Sequence, residues 1–165
     1  MTWTNNAPFG TAVLLILGSG LIFPGTTDAT AQHGHVSSVN PDTLKWGPAP
    51  PALPKGGQIA VLAGDPTKPG PFTVRLKFPA GFKIPAHSHP SFEAVTVISG
   101  SLTFGTGDKL DESKGEKLTA GSFIHLPENM NHYVFSTAES IVQINSVGPF
   151  DVKYANPGDD PRKTQ

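Results

Sequence analysis

The chain has 165 residues, enough for one domain with its own core and not comfortably two. Lys and Arg number 12 against 13 Asp and Glu, with no basic stripe, which argues against nucleic acid as a partner. Cysteine is absent, excluding disulfides, thiolate catalysis and thiolate metal sites, while 18 Gly and 17 Pro favour short strands and turns over long helices.

Taken in order, the first feature is the apolar stretch Thr11 to Phe23, whose 13 residues fall short of the roughly 20 that a spanning helix needs. Pro24-Gly25 ends it, and Ala29-Thr30-Ala31 supplies the small-x-small pattern of a signal peptidase site. We read residues 1–31 as an export signal peptide cleaved between Ala31 and Gln32, although its first ten residues lack Lys and Arg. An uncleaved anchor and an ordered N-terminal strand are the alternatives. Cleavage gives a periplasmic or secreted protein with no permanent membrane anchor. Residues 32–57, rich in Pro, Ser and Gly, form a flexible leader. Its His33 and His35 read as solvated, with copper or zinc binding near the new terminus as the alternative. Leu44-Lys45-Trp46 reads as a short strand or a segment packed over a barrel mouth.

Strand patterns begin at Gln58 and run through 155; the tail 156–165 is polar. Gln58–Ala63 is the first strand. Phe72–Phe78 alternates, with Phe72, Val74, Leu76 and Phe78 on one face and Thr73, Arg75 and Lys77 on the other. Phe82–Ala86, Glu93–Ser99, Leu102–Phe104, Glu116–Thr119, Phe123–Leu126, His132–Phe135 and Ile141–Val147 follow. Gly100-Ser101 reads as a two-residue hairpin, and residues 105–115 as a polar surface loop whose single core side chain is Leu110. No segment carries the pattern of an amphipathic helix. Short strands at this spacing predict an all-β closed or sandwich fold.

The chemistry gathers in GFKIPAHSHPSFEAVTVISG, Gly81 to Gly100. His87, His89 and Glu93 are separated by even numbers of residues, so an extended chain would place all three on one face. Two imidazoles and a carboxylate on one face make most of a metal site. Downstream, GSFIHLPENMNH brings His132 after a short strand, a proline and a turn.

Together these stretches fit a pair of motifs. Gly-x5-His-x-His-x3-Glu-x6-Gly is met at every position by Gly81, His87, His89, Glu93 and Gly100. Gly-x5-Pro-x-Gly-x2-His-x3-Asn is met by Gly121, Pro127 and His132, with Asn129 in place of glycine and Ser136 in place of the last asparagine. The region 72–147 thereby resembles the cupin superfamily, of the small single-domain (monocupin) type. Asn tolerates positive φ better than most residues, which suits Asn129 to that turn. More loosely, the stretch from Gly105 to Pro157 resembles exported cupins of uncharacterised function and the cupin sensor domain of zinc-dependent anti-sigma factors.

The resemblance implies a jelly-roll (double-stranded β-helix) barrel in which His87, His89, Glu93 and His132 converge on one divalent cation. Three imidazoles and a carboxylate suit Mn, Fe, Co, Ni, Cu or Zn. An octahedral ion so held keeps two positions open for water, substrate or dioxygen; a closed tetrahedral zinc would be structural. Val95 and Val97 beside Glu93, and Val134 beside His132, are expected to line the pocket. Phe82, Phe92 and Met130 flank the ligands as possible walls. Gln143 and Asn145 share one face of their strand and either orient a ligand or lie on an outward polar face. Ile124 and Leu126 should fill the core, turning His125 away. The function expected is a metal-dependent, dioxygenase-like enzyme acting on a small organic molecule. The alternatives are a Lewis-acid lyase or isomerase and a non-catalytic binding or sensing module, since the fold hosts many chemistries. No side chain is singled out as a catalytic acid or base. Sheet edges make a homodimer possible.

Overall fold

The computed structural model describes residues 36 and 38–163, so the predicted signal segment and His33 and His35 lie outside the described residues. Eleven strands carry the described chain: β1 Gly47–Pro48, β2 Gln58–Ala63, β3 Gly70–Phe78, β4 Lys83–Ser88, β5 Glu93–Ser99, β6 Ser101–Thr106, β7 Glu116–Thr119, β8 Phe123–Leu126, β9 His132–Ser136, β10 Ser140–Gly148 and β11 Lys153–Tyr154. Short 3-10 turns at Pro41–Thr43, Pro157–Asp159 and Pro161–Lys163 complete it. Among the described residues no helix is long and apolar enough to cross a membrane.

The strands form two antiparallel sheets, one in the order β1-β2-β3-β10-β5-β8 and the other β11-β4-β9-β6-β7. Alternation decides which side chains meet between them. In β3, Phe72, Val74, Leu76 and Phe78 are buried while Thr73, Arg75 and Lys77 are half-exposed, as their spacing predicts. Val95 and Val97 from β5, Val142 and Ile144 from β10, Ile84 from β4 and Leu102 from β6 join the same core.

The expected hairpin at Gly100-Ser101 is a crossover instead: β5 lies in one sheet and β6 in the other. Gly100 turns with φ 76°, and a Cβ there would strike Glu139 O and, at 2.8 Å, Ser140 Cα. The fully buried Ser140 hydroxyl spans the corner, donating to Ser101 O at 2.8 Å and accepting from Ser101 N at 3.1 Å. The hairpin belongs to β6 and β7, whose polar connection carries Leu110 onto Ala86, Tyr133 and Phe135 outside the barrel.

Two flanking segments dock on the barrel. Within residues 32–57, read as a leader, β1 pairs with β2, Ala52 and Leu53 pack on the core, and Lys77 Nζ sits 4.6 Å above the Trp46 ring. Tyr154 fixes this segment by donating to Ala52 O at 2.8 Å. In the tail, Asp160 is buried and Arg162 binds it through Nε at 2.8 Å.

Candidate metal centre

Three strands and one loop supply the polar cluster. His87 is the penultimate residue of β4, and it faces inward because the β4–β9 register shifts between Ile84 and His87. Without that bulge, strict alternation from Ile84 would aim residue 87 outward. Ala86, inside the bulge, instead packs on Tyr133 and Phe135. His89 follows the end of β4, and Glu93 opens β5 in the opposite sheet. The three residues therefore do not share one strand face; the chain turns through Pro90 and the two sheets bring them together. His132 opens β9 directly opposite His87.

One ligating atom from each of His87, His89 and His132 lies within 4.8 Å of the others. Glu93 Oε2 sits 3.4 Å from His132 Nε2 and 3.7 Å from His89 Nε2. All four residues are buried. Each imidazole is oriented by a main-chain carbonyl: His87 Nδ1 to Pro85 O at 2.8 Å, His89 Nδ1 to Asp151 O at 2.7 Å, and His132 Nδ1 to Met130 O at 3.1 Å. A carbonyl only accepts, so Nδ1 carries the proton and Nε2 keeps its lone pair toward the cluster. Phe150 stacks on the His89 ring at 4.2 Å between centroids.

Burial, reinforced by the neighbouring histidines, pushes His87 down to about 3, and burial also lowers His89. Both are neutral near pH 7, as ligands must be. For Glu93, burial pushes the carboxyl up, but the His132 contact and the nearby histidines outweigh it and hold it low. The donor set fits a transition metal. The decisive atom is His89 Nε2, which is buried without a hydrogen-bond partner among the described residues. A buried nitrogen left unpaired is costly, and a cation beside it removes that cost.

The sequence matches the family described as a domain of unknown function, DUF4437, over residues 28–153. The chain belongs to that family. Curated proteins give no match. Among solved structures, the polyketide cyclase RemF from Streptomyces resistomycificus aligns with TM-score 0.65 at 15% identity, over 78% of this chain and 92% of its own. A candidate acetylacetone dioxygenase from Methylibium petroleiphilum PM1 aligns with TM-score 0.59 at 22% identity, over 77% and 85%. An RmlC-like cupin from Shewanella frigidimarina aligns with TM-score 0.52 at 15% identity, over 67% and 90%. The fold of this DUF4437 member is that of the cupins.

The cluster opens onto a cavity of about 360 Å³ between the sheets. Val95 and Val134 line it, as expected, together with Ile124 and Leu126. Other expected wall residues lie elsewhere. Phe82 stacks on Phe78 in the core, and Val97 is buried there. Phe92 and Met130 are substantially exposed. Phe92 stacks on the exposed His125, and Met130 contributes its carbonyl to His132. Gln143 and Asn145 face outward, because Val142, Ile144 and Ser146 take the inward positions of β10. There Gln143 accepts from Arg75 Nε at 3.2 Å, and Asn145 donates to Thr73 Oγ1 at 2.8 Å.

Sequence reasoning missed Phe104, Phe150, Asp151 and Arg162, which also line the cavity. Gly148, two residues before Phe150, passes so close to the 66–68 turn that a Cβ would lie 2.8 Å from Pro66 O. Asn129 takes φ 60°, the glycine-like conformation expected of it, and donates its N–H to His89 O at 2.8 Å. Ser136 is structural, donating to Pro79 O at 2.9 Å.

Proposed function

We propose that the protein is a metal-dependent cupin enzyme, of oxygenase type, acting on a small organic molecule. The observation that supports it is the set of three buried imidazoles beside Glu93, with an unpaired buried nitrogen among the described residues, at the end of an apolar cavity. In this reading His87, His89, Glu93 and His132 hold Mn, Fe, Co, Ni, Cu or Zn. Such an ion acts as a Lewis acid and, when redox-active, supports oxygen chemistry. The chain itself holds the imidazole protons on Nδ1, keeps Glu93 ionised and excludes bulk water with hydrocarbon walls. Similarity to a candidate acetylacetone dioxygenase favours the oxygenase. Similarity to a polyketide cyclase favours a second reading, Lewis-acid catalysis of lyase or isomerase type without dioxygen.

Oxygen uptake by protein reconstituted with iron, manganese, nickel or copper, offered β-diketones, catechols and thiols, tests the proposal. Uptake with one metal and one substrate class is expected. Substrate conversion under argon would transfer the assignment to the second reading, and no conversion at all would leave a binding module. We also propose export, with Gln32 as the mature terminus. N-terminal sequencing of exported material checks this, and a start at Met1 would refute cleavage.

A further inference from the structure

The charged side chains lining the cavity are few. Apart from the three histidines, they are Glu93, Asp151 and Arg162. Glu93 faces the imidazoles. Arg162 reaches the cavity already paired: Nη1 donates to Asp151 Oδ1 at 2.9 Å, Nε to Asp160 Oδ1 at 2.8 Å, and Nη2 to Asp160 Oδ2 at 3.0 Å and Val152 O at 2.8 Å. Two carboxylates surround one guanidinium, so this clasp carries a surplus negative charge. Thr67 also lines the cavity, but its hydroxyl is 2.6 Å from Asp65 Oδ1, outside the lining. The rest of the wall is hydrocarbon and aromatic ring, including Phe72, Leu102, Phe104, Ile124, Val134 and Phe150.

A ligand in this cavity can place polar atoms at the metal end. Away from that end it meets no side chain free to neutralise a negative charge, since Arg162 is already shared between two carboxylates. A charge left unpaired in such surroundings is strongly disfavoured. The cavity, at about 360 Å³, is at the small end of the roughly 300–1,000 Å³ range of ligand sites. We infer that the substrate is a small, largely apolar, preferably aromatic molecule whose oxygen donors gather at one end and whose remaining body carries no negative charge. This inference rests on the metal-site reading above and adds the substrate class to it.

A matched pair of ligands tests it without turnover. The zinc-loaded mature protein is titrated calorimetrically with 2,3-dihydroxynaphthalene and with its 6-sulfonate, which share the chelating head and differ by one distal charge. We expect the parent diol to bind and the sulfonate to bind at least about tenfold more weakly. Equal or tighter sulfonate binding, or no binding of either, with zinc retained, would overturn the inference alone. Failure to take up zinc would bring down the metal reading first and this inference with it. Asp160→Asn removes one charge from the clasp without touching the metal ligands. It should narrow the sulfonate penalty by about threefold or more; an unchanged penalty would overturn the role given to the clasp.

Discussion

At the residue scale the centre depends on how each imidazole is held. A main-chain carbonyl fixes Nδ1 of His87, His89 and His132, so Nε2 is available without a conformational search. Removing an imidazole should cost more than loosening one, and disturbing an outer partner alone costs about 10- to 100-fold in affinity. His132→Ala is therefore expected to lower zinc affinity at least about 100-fold in a competitive chelator titration. Unchanged metal content would mean that another residue completes the site. The same burial makes the metal-free protein acid-sensitive. Folded His87 stays neutral down to about 3, whereas an unfolded histidine protonates near 6.5. Between these values the unfolded chain binds protons that the folded chain refuses, so stability is full above the upper value and is lost as pH falls through the window. His89, also lowered, acts in the same sense, and so does Glu93 below its ordinary carboxylate range. We expect the urea midpoint of metal-free protein to fall steadily from about pH 7 to about pH 4; a flat profile would contradict the buried neutral histidines. The spacing of His87, His89 and Glu93 was readable in the chain, and so was the turn at Asn129. Phe150 was not, because its stacking on His89 joins residues 61 positions apart.

At the element scale, strands with a full period were legible, and junctions were not. β2, β5, β7 and β8 occupy the spans that alternation and turn residues predict. β1 and β11 have two residues each, too few to show a period, and only their partners make them strands. The shift between Ile84 and His87 leaves no mark in composition, since it is defined against β9. Gly100 illustrates the same limit. Gly-Ser suits a two-residue hairpin, but whether the next strand pairs back or joins the other sheet is decided by where Leu102 finds its core. The corner can be tested. Gly100→Ala forces a Cβ toward Glu139 and Ser140 at a positive φ. A loss of about 1–3 kcal/mol is expected in urea unfolding. Zinc stoichiometry should be kept, because Gly100 lies at the far end of β5 from Glu93. A neutral effect would show that the corner has room to relax.

At the scale of the whole molecule, the edges of the two sheets are protected unequally. β1 and β11 are only two residues long. β7 carries Glu116 and Lys117, charges that resist pairing with another chain. β8 has neither defence. Its four residues, Phe123-Ile124-His125-Leu126, include no Lys, Arg, Asp or Glu, and its outer edge has no partner strand among the described residues. Phe123 is 62% exposed, and Phe92 and His125 stack beside it to extend an aromatic surface. An edge of this kind pairs most simply with itself about a two-fold axis, giving an antiparallel β8–β8 contact. We expect the protein to sediment as a dimer at micromolar concentration and Phe123→Lys to sediment as a monomer with unchanged zinc content. The second measurement separates assembly from folding, since Phe123 points away from the cavity that Ile124 and Leu126 line. A parent protein that remains monomeric at high concentration would show that the short length of β8 is protection enough.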